Sequence, residues 1–435
     1  MQTDEAHRSK TTATTQGRSP WLLRWITAAL ATLVVLASWK IDGGKGHGYS
    51  DAAHYQAMAD GKTEMKPFAL RVLTPAAARL FADTTGRSTQ DGFLVVGLVS
   101  LWVLLYGVLR PVIEQPWLVA ALTLIPFWLR NLHDYFLPDP LHAALCMVYL
   151  ALLRRRWWGW AMAMLPVMFL ARESTLLLAV IAVPIVWRLA GRRAGLIQAG
   201  GAVLGEVASK FAARHAYANL HGINDTLYMI GKIPWNLSKN VFGITLGTNT
   251  LPGVQSVKIW SVPQWIHLGS VHQIGYSAFG GTVLLLNAVQ LLASFGLGIC
   301  VLVCLVWRKP LRELLSQEEP YLCVAAIYGG VTFLLAPVMG ASLVRLFDYG
   351  WPLFLVYLPV LLSRVWRGCS GWMIAALLSL HLIAAWTEYA RMFLFHFSLG
   401  TAFAAVVGCD IAGAWLLFRA FSRVRGEKSS STLLC

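Results

Sequence analysis

Apolar runs long enough to cross a lipid bilayer recur along almost the whole of this 435-residue chain. A helix needs about 20 predominantly apolar residues to cross roughly 30 Å of hydrocarbon. Such runs lie near residues 21–39, 92–109, 116–130, 140–153, 157–171, 173–189, 194–212, 277–306, 320–338, 349–363, 371–386 and 398–418. The expected fold is therefore all-α, a polytopic integral membrane protein with about 12 (10–13) transmembrane helices. Composition agrees: 57% of residues are hydrophobic and only 13% charged, against roughly a quarter charged in soluble domains. That excludes an ordinary cytosolic enzyme, a disordered chain and a disulfide-stapled secreted module.

The formal net charge of +15 would suggest nucleic acid in a soluble protein. Here its placement explains it. With the N-terminus inside, the cytoplasmic junctions hold Arg110; Arg154, Arg155 and Arg156; Arg188, Arg192 and Arg193; Arg308, Lys309 and Arg312; Arg364 and Arg367; then Arg419, Arg423, Arg425 and Lys428. Basic short loops on one side are the positive-inside pattern, so no nucleic acid partner is expected. The expected organisation is a cytoplasmic leader (1–20), one transmembrane domain (21–418) with long outer loops at 40–91 and 213–276, and a cytoplasmic tail (419–435). The first run resembles a secretory signal in position, but its length and the lack of a small-x-small cleavage site favour an uncleaved anchor. The seven cysteines avoid both outer loops and form no CxxC, so neither a disulfide framework nor a cysteine metal site is expected.

Charge at membrane depth is costly and demands a reason. Most of the distinctive polar residues gather on the expected outer side, in four clusters. In the first loop, Ser50 caps an expected short helix on which Asp51, His54 and Tyr55 share a face at i, i+3 and i+4. Pro67 then opens a second, amphipathic helix with an apolar stripe of Leu70, Leu73, Ala77 and Leu80, and with Arg71 and Arg79 off it. Such a pair would lie in the membrane interface. The second cluster crowds His133, Asp134, Asp139 and His142 into one short turn. The third is Ala171-Arg172-Glu173-Ser174, where Arg172 and Glu173 either neutralise each other or line a polar cavity. The fourth is Arg345 with Asp348, before Tyr349-Gly350-Trp351-Pro352. Blander readings exist for each: a helix-start carboxylate for Asp51, snorkelling for Arg71, a loop cap for Asp139. No HxxxH or HExxH spacing supports a metal among the histidines, so no bound metal or other cofactor is expected. Asp410, inside the last run, has no evident role.

These motifs resemble a known arrangement. Tyr49-Ser50-Asp51-Ala52-Ala53-His54-Tyr55 followed by Pro67-Phe68-Ala69-Leu70-Arg71-Val72-Leu73-Thr74-Pro75 is similar to the first outer loop of bacterial membrane glycosyltransferases of the GT-C superfamily. So are Asp134-Tyr135…Pro138-Asp139-Pro140, Ala171-Arg172-Glu173-Ser174 and Arg345…Asp348-Tyr349-Gly350-Trp351-Pro352, over about residues 21–365. The resemblance implies transfer of a sugar from a polyprenyl-phosphate donor to a lipid, glycan or protein acceptor on the extracytoplasmic face of a bacterial inner membrane. It implies an acidic base in the first outer loop, matched by position at Asp51. Relatives often carry a second acidic residue there, where this chain has Ala52 and Ala53.

The chemistry fits the residue types. Inverting transfer needs a base for the acceptor hydroxyl, for which Asp51 is the candidate with His54 as its orienter or understudy. The departing lipid phosphate calls for fixed cations, and a guanidinium fork matches phosphate oxygens: Arg71, Arg172 and Arg345. Tyr55, His133, Asp134, Asp139, His142 and Glu173 complete the expected substrate-binding set. Tyr217, Tyr228, Trp235, Trp260 and Trp265 give the second outer loop the aromatic content of a sugar-stacking surface or of an interfacial belt. The competing functions are a transporter or flippase of lipid-linked saccharides, which would spread polar residues through both membrane halves, and an oligosaccharide polymerase or ligase, which would lean on the 213–276 loop.

Overall fold

Prolines and glycines break the apolar sequence into more pieces than the hydropathy pattern suggests, and the breaks decide the architecture. A computed structural model describes residues 19–43, 50–218, 225–246, 256–261, 263, 273–277, 282–308, 315, 318–340, 342–365 and 370–431. The N-terminal half contains α1 (Pro20–Asp42), α2 (Ser50–Ala59), α3 (Leu73–Thr85), α4 (Thr89–Leu109), α5 (Pro116–Thr123), α6 (Phe127–His133), α7 (Asp139–Arg154), α8 (Trp158–Ala171), α9 (Thr175–Ala190) and α10 (Arg192–Ala216). The C-terminal half contains α11 (Asp225–Phe242), α12 (Thr282–Ala293), α13 (Gly298–Arg308), α14 (Pro320–Met339), α15 (Leu343–Phe347), α16 (Leu358–Val365), α17 (Gly371–Tyr389) and α18 (Leu399–Ser431).

The fold is helical and membrane-like, but it does not have 12 spans. Among the described residues five helices are long and apolar enough to cross a membrane: Pro20–Asp42, Thr89–Leu109, Pro320–Met339, Gly371–Phe395 and Leu399–Ala420. Two bent pairs raise that to seven, Val283–Ala293 with Gly298–Trp307 at 79° and Leu343–Gly350 with Pro352–Arg364 at 42°. The difference has identifiable causes. The run at 116–130 splits around Pro126 into α5 and α6, since proline cannot donate the helical hydrogen bond. Helices α7, α8 and α9 have 16, 14 and 16 residues, about 24 Å or less at 1.5 Å per residue. Helix α10 has 25 residues but carries Arg192, Arg193, Glu206, Lys210 and Arg214, too polar for an ordinary span.

The segment after α10 also departs from an all-helical reading. It contains a small antiparallel sheet ordered β1-β3-β2, from β1 (Ile244–Leu246), β2 (Ser256–Ser261) and β3 (Gln273–Ser277). Trp265, expected on the aromatic surface there, lies outside the described residues, as do the side chains of Tyr228 and Trp260.

In the 40–91 loop both expected helices form, but the second packs by the other face. Thr74, Pro75, Ala78 and Ala82 are its buried residues, whereas Leu80 is 64% exposed. Small side chains win because α4 approaches so closely: a Cβ added to Gly92 would lie 2.2 Å from the Ala78 carbonyl oxygen. Between the helices a short 3₁₀ turn, Phe68–Leu70, delivers Arg71. Helix α4 is held at its start by a capping box, with Ser88 Oγ accepting from the Asp91 amide at 3.1 Å and Asp91 accepting from the Ser88 amide at 3.3 Å.

An aromatic cluster ties the bent pairs together. Phe295, at the α12–α13 break, stacks on Phe354 at 4.5 Å, and Phe333 of α14 meets Phe354 at 4.9 Å and Phe347 at 5.1 Å. Asn240 of α11 donates to the carbonyls of Pro337 (2.7 Å) and Gly340 (2.6 Å) at the end of α14, groups a helix terminus leaves without partners.

Helices α8 and α10 close on each other through Gly201 and Gly205, a small-xxx-small pair that lets backbones approach. A Cβ at Gly201 would sit 2.7 Å from the Met162 carbonyl oxygen, and one at Gly205 2.3 Å from the Phe169 ring. This contact seats α8 against α10, and α8 ends at Ala171, just before Arg172 and Glu173. A matched pair of substitutions tests it. Gly201→Ala should destabilise the detergent-solubilised protein by about 1–3 kcal/mol through overpacking, read as a lower thermal unfolding temperature. Gly200→Ala, at an exposed neighbour with nothing within 4 Å, should leave stability unchanged or raise it by up to about 1 kcal/mol through helix propensity. Equal effects would mean that the close approach does not set the α8–α10 distance.

Candidate active site

The four charged clusters of the sequence meet at one end of the bundle, and their ion pairs cross between clusters. Arg172, set by the end of α8, does not neutralise its neighbour Glu173. It pairs with Asp139 at the start of α7, donates to the Tyr349 hydroxyl at 2.5 Å, and lies over the Tyr349 ring at 4.2 Å. Tyr349 in turn donates to Asp139 Oδ1 at 2.9 Å. Glu173 turns the other way and receives both arms of Arg71, from Nε at 2.7 Å and from Nη2. Arg71 also donates to the hydroxyl of the fully buried Tyr55 at 2.8 Å. Burial alone would push Glu173 up, but the facing Arg71 outweighs it and holds the carboxyl down at about 2.

Arg345 joins the halves. Its Nη2 lies 3.6 Å from Asp51 Oδ2 and its Nε 3.7 Å from Asp139 Oδ2. The sequence groups Arg345 with Asp348, but the structure separates them. Asp348 is buried against Arg130, accepting from Nε at 3.0 Å and Nη2 at 2.5 Å, while Nη2 also reaches the Ser294 carbonyl at 3.3 Å. Asp51 keeps its side chain 34% exposed, the most open carboxylate of the Asp51–Arg345–Asp139–Arg172 chain. A cavity of about 20 Å³, room for a water molecule, lies against Asp139, His142, Arg172, Asp348 and Tyr349.

The histidines take partners that the sequence does not announce. His54, expected to orient Asp51, instead has its Nδ1 2.8 Å from Glu64 Oε2. His133 bonds through Nδ1 to Asp42 Oδ1 at the end of α1, at 2.6 Å, and this bond raises its pKa. His142 is buried, with Nε2 3.1 Å from Thr175 Oγ1. Because Thr175 gives its own proton to the Met168 carbonyl at 2.9 Å, His142 is the donor of the pair. It links α7 to α9 as well as lining the cavity. Asp134 is buried, and its Oδ1 has no hydrogen-bond partner among the described residues. Burial drives its pKa up to about 7, against the pull of Arg345 and His133.

Sequence reasoning thus finds Asp51, Tyr55, Arg71, Asp134, Asp139, Arg172, Glu173 and Arg345 in one neighbourhood. It misses Glu64, Asp42, Arg130 and the role of Tyr349. Tyr349, inside a quoted motif, and Arg130, at the head of the stretch that runs to His142, left a signal. Among the described residues no three His, Cys, Asp or Glu side chains are grouped so as to hold a metal ion. No family model matches the chain, and neither a curated protein nor a solved structure matches it.

Asp134 makes a pH test. A carboxyl whose pKa rises on folding favours the native state only while it is protonated. As pH rises from about 4 to about 7, the unfolded chain loses this proton first, so stability falls across that window and levels off above it. Asp134→Asn cannot ionise. It should be more stable than wild type at pH 8 by up to about 4 kcal/mol, read as a higher unfolding temperature, with the gap closing by pH 4–5. A gap independent of pH would show that Asp134 ionises normally in the folded protein.

Proposed function

We propose that this protein is a membrane glycosyltransferase of the GT-C type. It moves a sugar, with inversion, from a polyprenyl-phosphate donor to a lipid-linked, glycan or protein acceptor. We place it in a bacterial inner membrane, with its N-terminus in the cytoplasm and its site on the extracytoplasmic side. The observation that carries the reading is the chain Asp51–Arg345–Asp139–Arg172. It draws together residues from four separate sequence clusters, and a structural ion pair would need only two.

In this reading Asp51, the most open carboxylate of the chain, removes the proton from the acceptor hydroxyl. That oxygen attacks the anomeric carbon from the face opposite the phosphate. The bond from carbon to phosphate oxygen breaks, and the lipid phosphate leaves with the electron pair. Arg345 meets the developing charge, because its ion pairs of 3.6 and 3.7 Å are looser than those of Arg71 and Arg172. Arg172, held by Asp139 and Tyr349, backs the phosphate site. Arg71, clamped by Glu173 and Tyr55, holds α2 and the α8–α9 turn in register.

One feature favours transport instead. Asp410 lies within a span, and neither of its carboxylate oxygens has a hydrogen-bond partner among the described residues. A translocation path would use such a group, but Asp410 stands apart from the charged cluster, so transfer is the better reading.

The test is glycosyl transfer by purified protein in nanodiscs, with a panel of polyprenyl-phosphate sugars. Wild type should release or transfer sugar, and a folded Asp51→Asn protein should lose roughly 10²–10⁴-fold, the usual contribution of a general base. Donors that neither turn over nor shift the melting temperature of wild type would remove the glycosyltransferase reading and bring Asp410→Asn transport assays forward.

A further inference from the structure

Glu64 has no place in the mechanism above, yet both its backbone and its carboxylate are held. It lies between α2 and the 3₁₀ turn that delivers Arg71, with its side chain 11% exposed. Its backbone is pinned on both sides by the end of α10. The Glu64 amide donates to the Ala216 carbonyl at 2.7 Å, and its carbonyl accepts from the Ala218 amide at 3.0 Å. The carboxylate thus has a fixed origin, and Oε2 lies 2.8 Å from His54 Nδ1. The imidazole is fixed from a second direction by Phe68, stacked on it at 4.1 Å and 15°. Phe68 itself rests edge-on against Tyr55, at 5.5 Å.

A carboxylate bound at Nδ1 keeps the proton on that nitrogen and leaves Nε2 as the basic atom. It also stabilises the imidazolium when Nε2 takes a proton. His54 is 28% exposed, so protons taken up at the ring have a route to water. It also lies one helical turn beyond Asp51, at i+3, on the same face of α2. A tether needs none of these features together; a link between α2 and the following loop would serve equally with an aliphatic pair.

We propose that Glu64 and His54 form a proton-relay dyad for Asp51, with Glu64 as a positioning residue. The inference rests on the transfer reading given above. The proton taken from the acceptor hydroxyl passes from the Asp51 carboxyl to His54 Nε2, directly or through one water, and then to bulk solvent. Asp51 is thereby returned to its charged form for the next turnover. Glu64 takes no proton; it holds the tautomer and balances the transient imidazolium charge.

The experiment compares wild type, Glu64→Gln, Glu64→Asp and His54→Gly in nanodiscs, using the donor that wild type turns over. Glutamine keeps a hydrogen-bonding group but loses the charge. Glu64→Gln should therefore lower kcat by roughly 10–100-fold with KM within about twofold. Glu64→Asp should recover part of the loss, and added imidazole should restore turnover to His54→Gly. A Glu64→Gln protein with wild-type kcat, or a His54→Gly protein that imidazole does not rescue, would overturn the dyad while transfer by wild type stood. Absence of transfer by wild type would overturn the parent reading, and the relay with it.

Discussion

The chain of ion pairs that links the first-loop helix to the rest of this site runs through Arg345. Among the described residues it is the only one whose side chain is ion-paired to both the first-loop helix and the α7 turn, through Asp51 and Asp139. Asp139 then carries the chain to Arg172 and Tyr349. Burying an ion without a partner costs several kcal/mol after relaxation, so each member needs the others to stay charged where they are. Removing one leaves an uncompensated charge at the meeting point of four chain segments. The pairs thereby act as a register: α2, α7, the α8–α9 turn and α15 can be assembled with all charges matched in few ways. Buried ion pairs are a poor general source of stability, but here they fix which loops share a surface.

The charge balance of the cluster bears on what it can receive. Arg71 is matched by Glu173 and Arg130 by Asp348, while Arg172 and Arg345 face Asp139 and Asp51. On the proposed transfer reading, an incoming phosphate would find no unmatched arginine among these four. It has to take a guanidinium from a carboxylate, and the Asp51–Arg345 contact is the long, open one. Displacing Asp51 from Arg345 would release the carboxylate toward the acceptor as the donor binds. On that reading, binding and activation of the base would be one event, a consequence of which pair is loosest. Asp134, near Arg345 and titrating near neutrality, is placed to take up a proton as negative charge arrives.

Much of this was legible in the sequence, and the remainder fails for a definite reason. The clusters around Asp51, Asp134–Asp139, Arg172–Glu173 and Arg345 stand out because charge is rare in such a chain, and the structure gathers all four. Their pairing was not legible. Adjacent residues suggest Arg172 with Glu173 and Arg345 with Asp348, whereas Arg71 reaches 102 positions to Glu173 and Arg130 reaches 218 to Asp348. Sequence neighbours are set by one turn of backbone; these partners are set by how α8 seats against α10 and how α14 carries α15. Glu64 and Asp42 lay in stretches with no pattern to mark them. The packing face of α3 was misread because leucines outweigh alanines in hydropathy, although only the small face fits against Gly92.

The error in the span count and the existence of the site have one cause. An uninterrupted apolar helix has no cheap place for a charge, since its backbone is satisfied and lipid surrounds it. A broken helix offers ends, where turns can be polar and side chains face protein. Asp139 begins α7, Arg172 follows the last residue of α8, Arg345 lies in a five-residue helix, and Asp348 and Tyr349 sit beside the 42° bend before Pro352. Even Arg130 belongs to the short helix after Pro126 and reaches the backbone of Ser294 at the 79° break. The prolines and short helices that reduce the number of full spans are the features that bring arginines and carboxylates together within the bundle. In a chain of this composition, the places where hydropathy fails to predict a complete crossing are therefore where the chemistry should be sought.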